Sequence, residues 1–245
     1  MSWRATAEQE KFMTASTPST DSPAAAAHGR LDPASTALLV IDMQRYFVRP
    51  DCGLGRLLGQ LDPIETKRYI RQVRDVVIPS IQKLLEAFRA HGSTVAFTEF
   101  GSYSADGHDM PLWARKHNEL GRQVVGEAVY PPFDDASCRV DESLEPLPTE
   151  LVVRKNTSGP CNSTKLDHVL RVSGIDTVVV AGVATDVCVA QTTREFGDRD
   201  FRAIVVEDAA ATPISDRTHA SALETIARTF GEVTTTDTVI GLLGS

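Results

Sequence analysis

The sequence predicts an α/β protein with three layers, α/β/α, around a mostly parallel six-stranded sheet. Three observations carry this expectation. Short continuous apolar runs, such as residues 37–42 (ALLVID) and 177–181 (TVVVA), read as strands buried on both faces. Longer stretches between them place apolar residues at helical spacing. The two kinds alternate along the chain, which is the pattern of parallel strands joined by crossover helices.

Residues 1–34 are rich in Ala, Ser, Thr and Pro with no sustained apolar period, so they are expected to form a disordered or peripheral arm. One domain is expected over 35–245, because no second linker or internal repeat interrupts it. Its first strand, 37–42, ends in Asp42. Residues 65–91 follow as a helix with Ile70, Val73, Val77, Ile81, Leu84, Leu85 and Phe88 on one face. Pro79 is expected to kink or break it, and Gly92 to close it. The second and third strands are placed at 94–98 (TVAFT) and 151–154. Thr164 is the expected N-cap of the next helix, with Asp167 completing a box-like start and Gly174 its end. The strand at 177–181 is central. A helix at 186–197, a strand at 203–207 (AIVVE), a helix at 215–230, an edge strand at 233–236 and a helical turn at 239–243 complete the chain.

Charge and cysteine usage bound the function. The 25 basic and 33 acidic residues give a net charge of −8, which disfavours nucleic acid or an anionic membrane as partner. No apolar run reaches the roughly 18–20 residues of a membrane span, and the N-terminus lacks a signal pattern, so a cytoplasmic protein is expected. Cys52, Cys138, Cys161 and Cys188 form no CxxC pair, which argues against a disulfide framework or a zinc cage.

Three strand ends hold the residues that can carry chemistry. Asp42 ends the first strand, Lys155 ends the third, and Cys188 follows the central strand in the segment GVATDVC. In a parallel sheet these ends share one edge, so residues distant in sequence converge. A cysteine in the first turn of a helix near an ammonium is favoured as thiolate. A carboxylate beside it can accept a thiol proton and return it to a leaving amine, while backbone N–H groups of that turn face a developing oxyanion. Each residue alone also has an ordinary reading: a turn aspartate, a solvated lysine, a packed cysteine. Spacing and composition leave both readings open.

Over about residues 35–244 the chain resembles the isochorismatase-like hydrolase superfamily. The resemblance rests on ALLVIDMQRYF at 37–47, on VRK at 153–155 with the loop and TKL that follow, and on GVATDVCV at 182–189 with TTR and VED after it. It is closest to the cysteine hydrolase branch, similar to N-carbamoylsarcosine amidases and to ureidoacrylate and biuret hydrolases. The resemblance implies a Rossmann-like sheet and a catalytic triad of Asp42, Lys155 and Cys188. It also implies a cis peptide between Val183 and Ala184, and an oxyanion hole from the N–H groups of Ala184 and Cys188. The implied activity is cleavage of a C–N bond in a small amide, ureido or carbamoyl compound through a thioester acyl-enzyme, with no cofactor. An isochorismatase-type or other small-molecule hydrolase in the same pocket is the alternative, as is a non-catalytic binding protein; Cys188 weighs against vinyl ether cleavage. Residues 98–109 (TEFGSYSADGHD) lack the Asp-x-His spacing of the metal-binding nicotinamidases. No metal is therefore expected, with His108, Glu99 and Asp109 the only residues there that suggest one. Gln44, Phe47, Phe100, Trp113 and Cys161, with Tyr103, are the candidates for substrate contact, and core packing is an equal reading of the aromatics. The family also implies a homo-oligomer, dimer or tetramer, with a small-molecule substrate as partner.

Overall fold

Residues 29–243 are described in the computed structural model of the protein. The expected N-terminal arm falls almost wholly outside the described residues. At its end Leu31 is already core, with its N–H donating to Leu242 O at 3.1 Å, so the packed unit begins ahead of the predicted boundary.

Six strands form one sheet: β1 (Thr36–Ile41), β2 (Thr94–Phe100), β3 (Leu151–Lys155), β4 (Thr177–Val183), β5 (Arg202–Ala211) and β6 (Glu232–Thr234). All pairings are parallel, in the order β3-β2-β1-β4-β5-β6. Alternate side chains feed two cores, as strand geometry requires. Leu38, Val40, Val179 and Ala181 pack on one side, against Ile81, Leu84 and Phe88. Leu39, Ile41, Val178 and Val180 pack on the other, against Leu170, Phe196 and Ile226. This is why these strands read as unbroken apolar runs.

On the first side lie α3 (Pro63–Gln72), a π-helical segment (Val73–Val77) and α4 (Ile78–Ala90), which run on without a break. Pro79 therefore does not split the helix. Its ring would collide with the carbonyl of residue 75, and that carbonyl sits inside the π-helical segment, where the Ile78 N–H reaches back to Val73 O. Three helices went unread in the sequence: α1 (Arg45–Val48), α2 (Gly53–Leu61) and α5 (Leu112–Val125). The second side carries α6 (Leu166–Val172), α7 (Ala190–Gly197) and α8 (Asp216–Thr225). Lys165, not Thr164, occupies the cap of α6; Thr164 Oγ1 still accepts from the Leu166 N–H at 3.2 Å, but Asp167 turns away to Arg199. The strand β6 stops short of its predicted end because Thr236 opens α9 (Thr236–Leu243), its N–H donating to Asp208 Oδ1 at 2.8 Å. No helix among the described residues is long and apolar enough to cross a membrane.

The strand order runs one way from β1 to β3 and the other way from β4 to β6. The carboxyl ends of β1 and β4 therefore flank the point where the connections diverge, which is where such sheets open a crevice.

Candidate active site

Asp42 is the first residue past β1 and holds a positive φ of 50°. Thr98 on the neighbouring strand fixes it twice: its hydroxyl oxygen accepts from the Asp42 N–H at 3.1 Å and its O–H donates to Asp42 Oδ1 at 2.6 Å. Lys155, at the end of β3, reaches across β2 so that Nζ donates to Asp42 Oδ2 at 2.7 Å. The ammonium also donates to Thr157 O at 3.2 Å and Ser158 O at 3.0 Å, and lies 4.9 Å from the centre of the Phe100 ring. Aspartate and lysine are both wholly buried. A buried ion pair is tolerable only when its remaining donors and acceptors are met, and here they are.

Cys188 lies in a π-helical turn, Thr185–Val189, that leads into α7. The turn follows a cis peptide between Val183 and Ala184. Ala184 O accepts from the N–H groups of Val187 at 3.1 Å and Val189 at 3.2 Å, on either side of the Cys188 N–H. Gly182 permits this approach: its φ is 120°, and a Cβ there would meet Ile41 O at 2.1 Å.

The electrostatics correct one expectation. Burial pushes the Cys188 thiol well above its ordinary range; Lys155 opposes this, and the Asp42 carboxylate adds to it. The direction of the shift favours the thiol, against the thiolate expected from a helix start and a lysine. Burial alone would lower the Lys155 pKa, but the Asp42 carboxylate 2.7 Å away opposes it and favours the ammonium.

Cys188 opens onto a cleft of about 440 Å³. Of the residues singled out for substrate contact, Phe47 and Trp113 line it. Gln44 does not. Its fully buried amide donates to Phe100 O at 3.0 Å and Cys138 O at 2.6 Å, and its Oε1 accepts from the Phe100 N–H at 2.8 Å. Phe100 is likewise buried behind the wall, stacked on Trp113 at 5.6 Å. Cys161 does not line the cleft either; it is half-buried, its N–H donating to Glu195 at 2.8 Å and its thiol pushed up to about 12 by burial and then by Glu195. Tyr103 is exposed and donates to Arg154 O.

His108 and Glu99 do not meet. His108 sits in an exposed loop against Asp106 at 2.7 Å, while buried Glu99 faces Arg154 at 3.3 Å and Arg139 at 3.8 Å. Asp109 accepts from Ser102 and from the Tyr103 N–H. Sequence reasoning missed Leu54, Leu58, His117, Tyr130, Asp186 and Ile214, all on the cleft wall, and Thr98 behind Asp42. Only Asp186 carried a signal, since it sits within the same motif as Cys188.

Known proteins share the fold and part of the sequence. The chain is 31% identical over 215 residues to the ureidoacrylate amidohydrolase RutB of Methylobacterium radiotolerans, covering 83% of this chain and 77% of that one. It is 29% identical to an N-carbamoylsarcosine amidase from an Arthrobacter species, over 69% of this chain and 62% of that one. Among solved structures, a cysteine hydrolase from Pseudomonas syringae pv. phaseolicola superposes with a TM-score of 0.71 at 29% identity, covering 88% of this chain and 95% of that one. The sequence profile of the isochorismatase domain matches residues 36–238, nearly the whole of the described unit, and the chain therefore belongs to the isochorismatase family.

Proposed function

We propose that the protein is a cysteine-dependent amidohydrolase that cleaves a C–N bond of a small amide, ureido or carbamoyl compound through a thioester. The observation that carries this reading is the buried Asp42–Lys155 pair, 2.7 Å apart, acting on a thiol that opens onto the cleft. The relatives named as ureidoacrylate amidohydrolase and N-carbamoylsarcosine amidase support the substrate class.

The neutral thiol sets the order of events. As the Cys188 sulfur bonds to the substrate carbonyl carbon, its proton passes to Asp42. The carbonyl oxygen becomes an oxyanion facing the N–H groups of Ala184 and Cys188. Collapse breaks the C–N bond, and Asp42 returns the proton to the departing nitrogen. A water molecule, deprotonated by Asp42, then attacks the thioester; the C–S bond breaks and the proton goes back to sulfur. Lys155 holds the carboxylate in line and balances the negative charge that moves between Asp42 and Cys188. Thr98, bonded to the other carboxylate oxygen, stops Asp42 from rotating.

The test is ammonia release from a panel of small amides and ureas, with Cys188→Ala as the paired variant. Turnover in the unaltered protein and its loss in the folded variant are expected. Substantial residual hydrolysis by Cys188→Ala would overturn the mechanism.

A further inference from the structure

The cleft beside Cys188 is walled by side chains of one character. Phe47, Leu54, Leu58, Trp113, Val187 and Ile214 supply apolar surface, and no arginine or lysine lines it among the described residues. Its ionisable wall groups besides Cys188 are His117, Tyr130 and Asp186. His117 is bonded to the Tyr130 hydroxyl at 3.0 Å; burial lowers its pKa and raises that of the tyrosine, so the pair is neutral near pH 7. Behind the wall, Arg68 donates to Thr212 O at 3.1 Å but is held by Glu65 at 2.6 Å and Asp216 at 2.7 Å, which offset its charge. Lys155 is spent on Asp42 and two carbonyls. Among the described residues Asp186 is left as the acidic group of the wall, and its Oδ1 has no hydrogen-bond partner there.

A carboxylate entering this space would lose water, find no cation, and face a like charge. Ureidoacrylate and N-carbamoylsarcosine, which name the relatives, are both small carboxylates. We propose that the substrate of this site instead carries an uncharged apolar group beside its scissile carbonyl, and that Asp186 is the residue that rejects acids. The proposal rests on the hydrolase reading above for the word substrate, but it is tested by binding alone.

The probes are two ureas of matched shape, para-isopropylphenylurea and para-ureidobenzoate, titrated calorimetrically into Cys188→Ala, which cannot turn them over. The neutral urea is expected to bind about a hundredfold more tightly. Asp186→Asn should narrow that gap by about tenfold, by removing one repulsive charge. Ile214→Arg, at the exposed mouth of the cleft, should strengthen binding of the benzoate and leave the isopropyl compound weaker or unchanged. Equal or tighter binding of para-ureidobenzoate to the parent protein overturns the proposal, as does the absence of saturable binding by the neutral urea. Ammonia release by the unaltered protein, followed in parallel, separates the two readings: a preference in binding without release supports the apolar substrate class while counting against hydrolysis.

Discussion

Asp42 and Lys155 pull the Cys188 thiol in opposite directions, and this makes their roles separable. Lys155→Met removes the cation that stabilises a thiolate, so iodoacetamide should alkylate Cys188 more slowly at a fixed, mildly alkaline pH. Asp42→Asn removes a charge that opposes the thiolate, so alkylation should quicken. Both variants should lose at least about a hundredfold in kcat/KM, because each disables proton transfer. Parallel movement of the two alkylation rates would show that the pair acts on substrate position instead. Gln44 makes a different prediction. Gln44→Leu strands Cys138 O and the Phe100 N–H in a buried site and leaves Phe100 O to the Tyr46 hydroxyl, so it should lower unfolding stability by about 2–3 kcal/mol in a denaturant titration. The protein that remains folded should keep its kcat. The three strand-end residues were legible because topology alone brings strand ends together. Gln44, Phe100 and Cys161 were misread because their places in the sequence do not say which way the side chains turn.

Among the elements, β4 and the turn after it tolerate least. Gly182→Ala would place a methyl group against Ile41 O, a backbone atom in the adjacent strand that has no rotamer to yield. The φ of 120° adds a second obstacle for any residue with a Cβ. Loss of about 3 kcal/mol or more is expected, read as a drop in Tm or as insoluble expression. The β5 strand makes room for the same turn: its register against β4 shifts between Val180 and Gly182, so that Ala210 and Ala211 lie beside Gly182 and Val183. Strands buried on both faces announced themselves as apolar runs. The helices α1, α2 and α5 did not. Glycines at 53, 55 and 59 dilute the apolar period of α2, and α5 is largely charged and polar along its exposed side. These unread segments, with Ile214 after β5, supply much of the cleft wall, which is why the convergence of Asp42 and Lys155 was visible in the sequence and the shape of the pocket was not.

For the molecule as a whole, the alternation of strand and helix predicted a parallel sheet, and the order β3-β2-β1-β4-β5-β6 adds the divergence point at which the site sits. Strand order is set by which edges pair in space, and a single sequence does not display it. Apart from Asp186 on the cleft wall, the charges around the site are paired: Asp42 with Lys155, Glu99 with Arg154 and Arg139, His108 with Asp106. Glu99 and His108 are thereby already partnered within the protein, as is Asp109 by Ser102 and the Tyr103 N–H, and the proposed mechanism assigns the oxyanion to backbone N–H groups. Dialysis against a chelator should therefore leave turnover unchanged. A fall in rate, restored by a divalent cation, would require Glu99 or His108 to leave its present partner.

The burial of Cys188 also bears on survival of the sulfur between turnovers. Peroxide oxidises thiolates far faster than thiols, and a neutral, enclosed thiol is a poor target. In the mechanism proposed above, a Cys188 that ionises only as a carbonyl carbon arrives would be shielded from sulfenic acid formation during the intervals when the cleft is empty. Hydrogen peroxide should accordingly inactivate the resting protein more slowly than it oxidises free cysteine at the same pH, and Asp42→Asn, which eases ionisation, should show the faster loss of titratable Cys188.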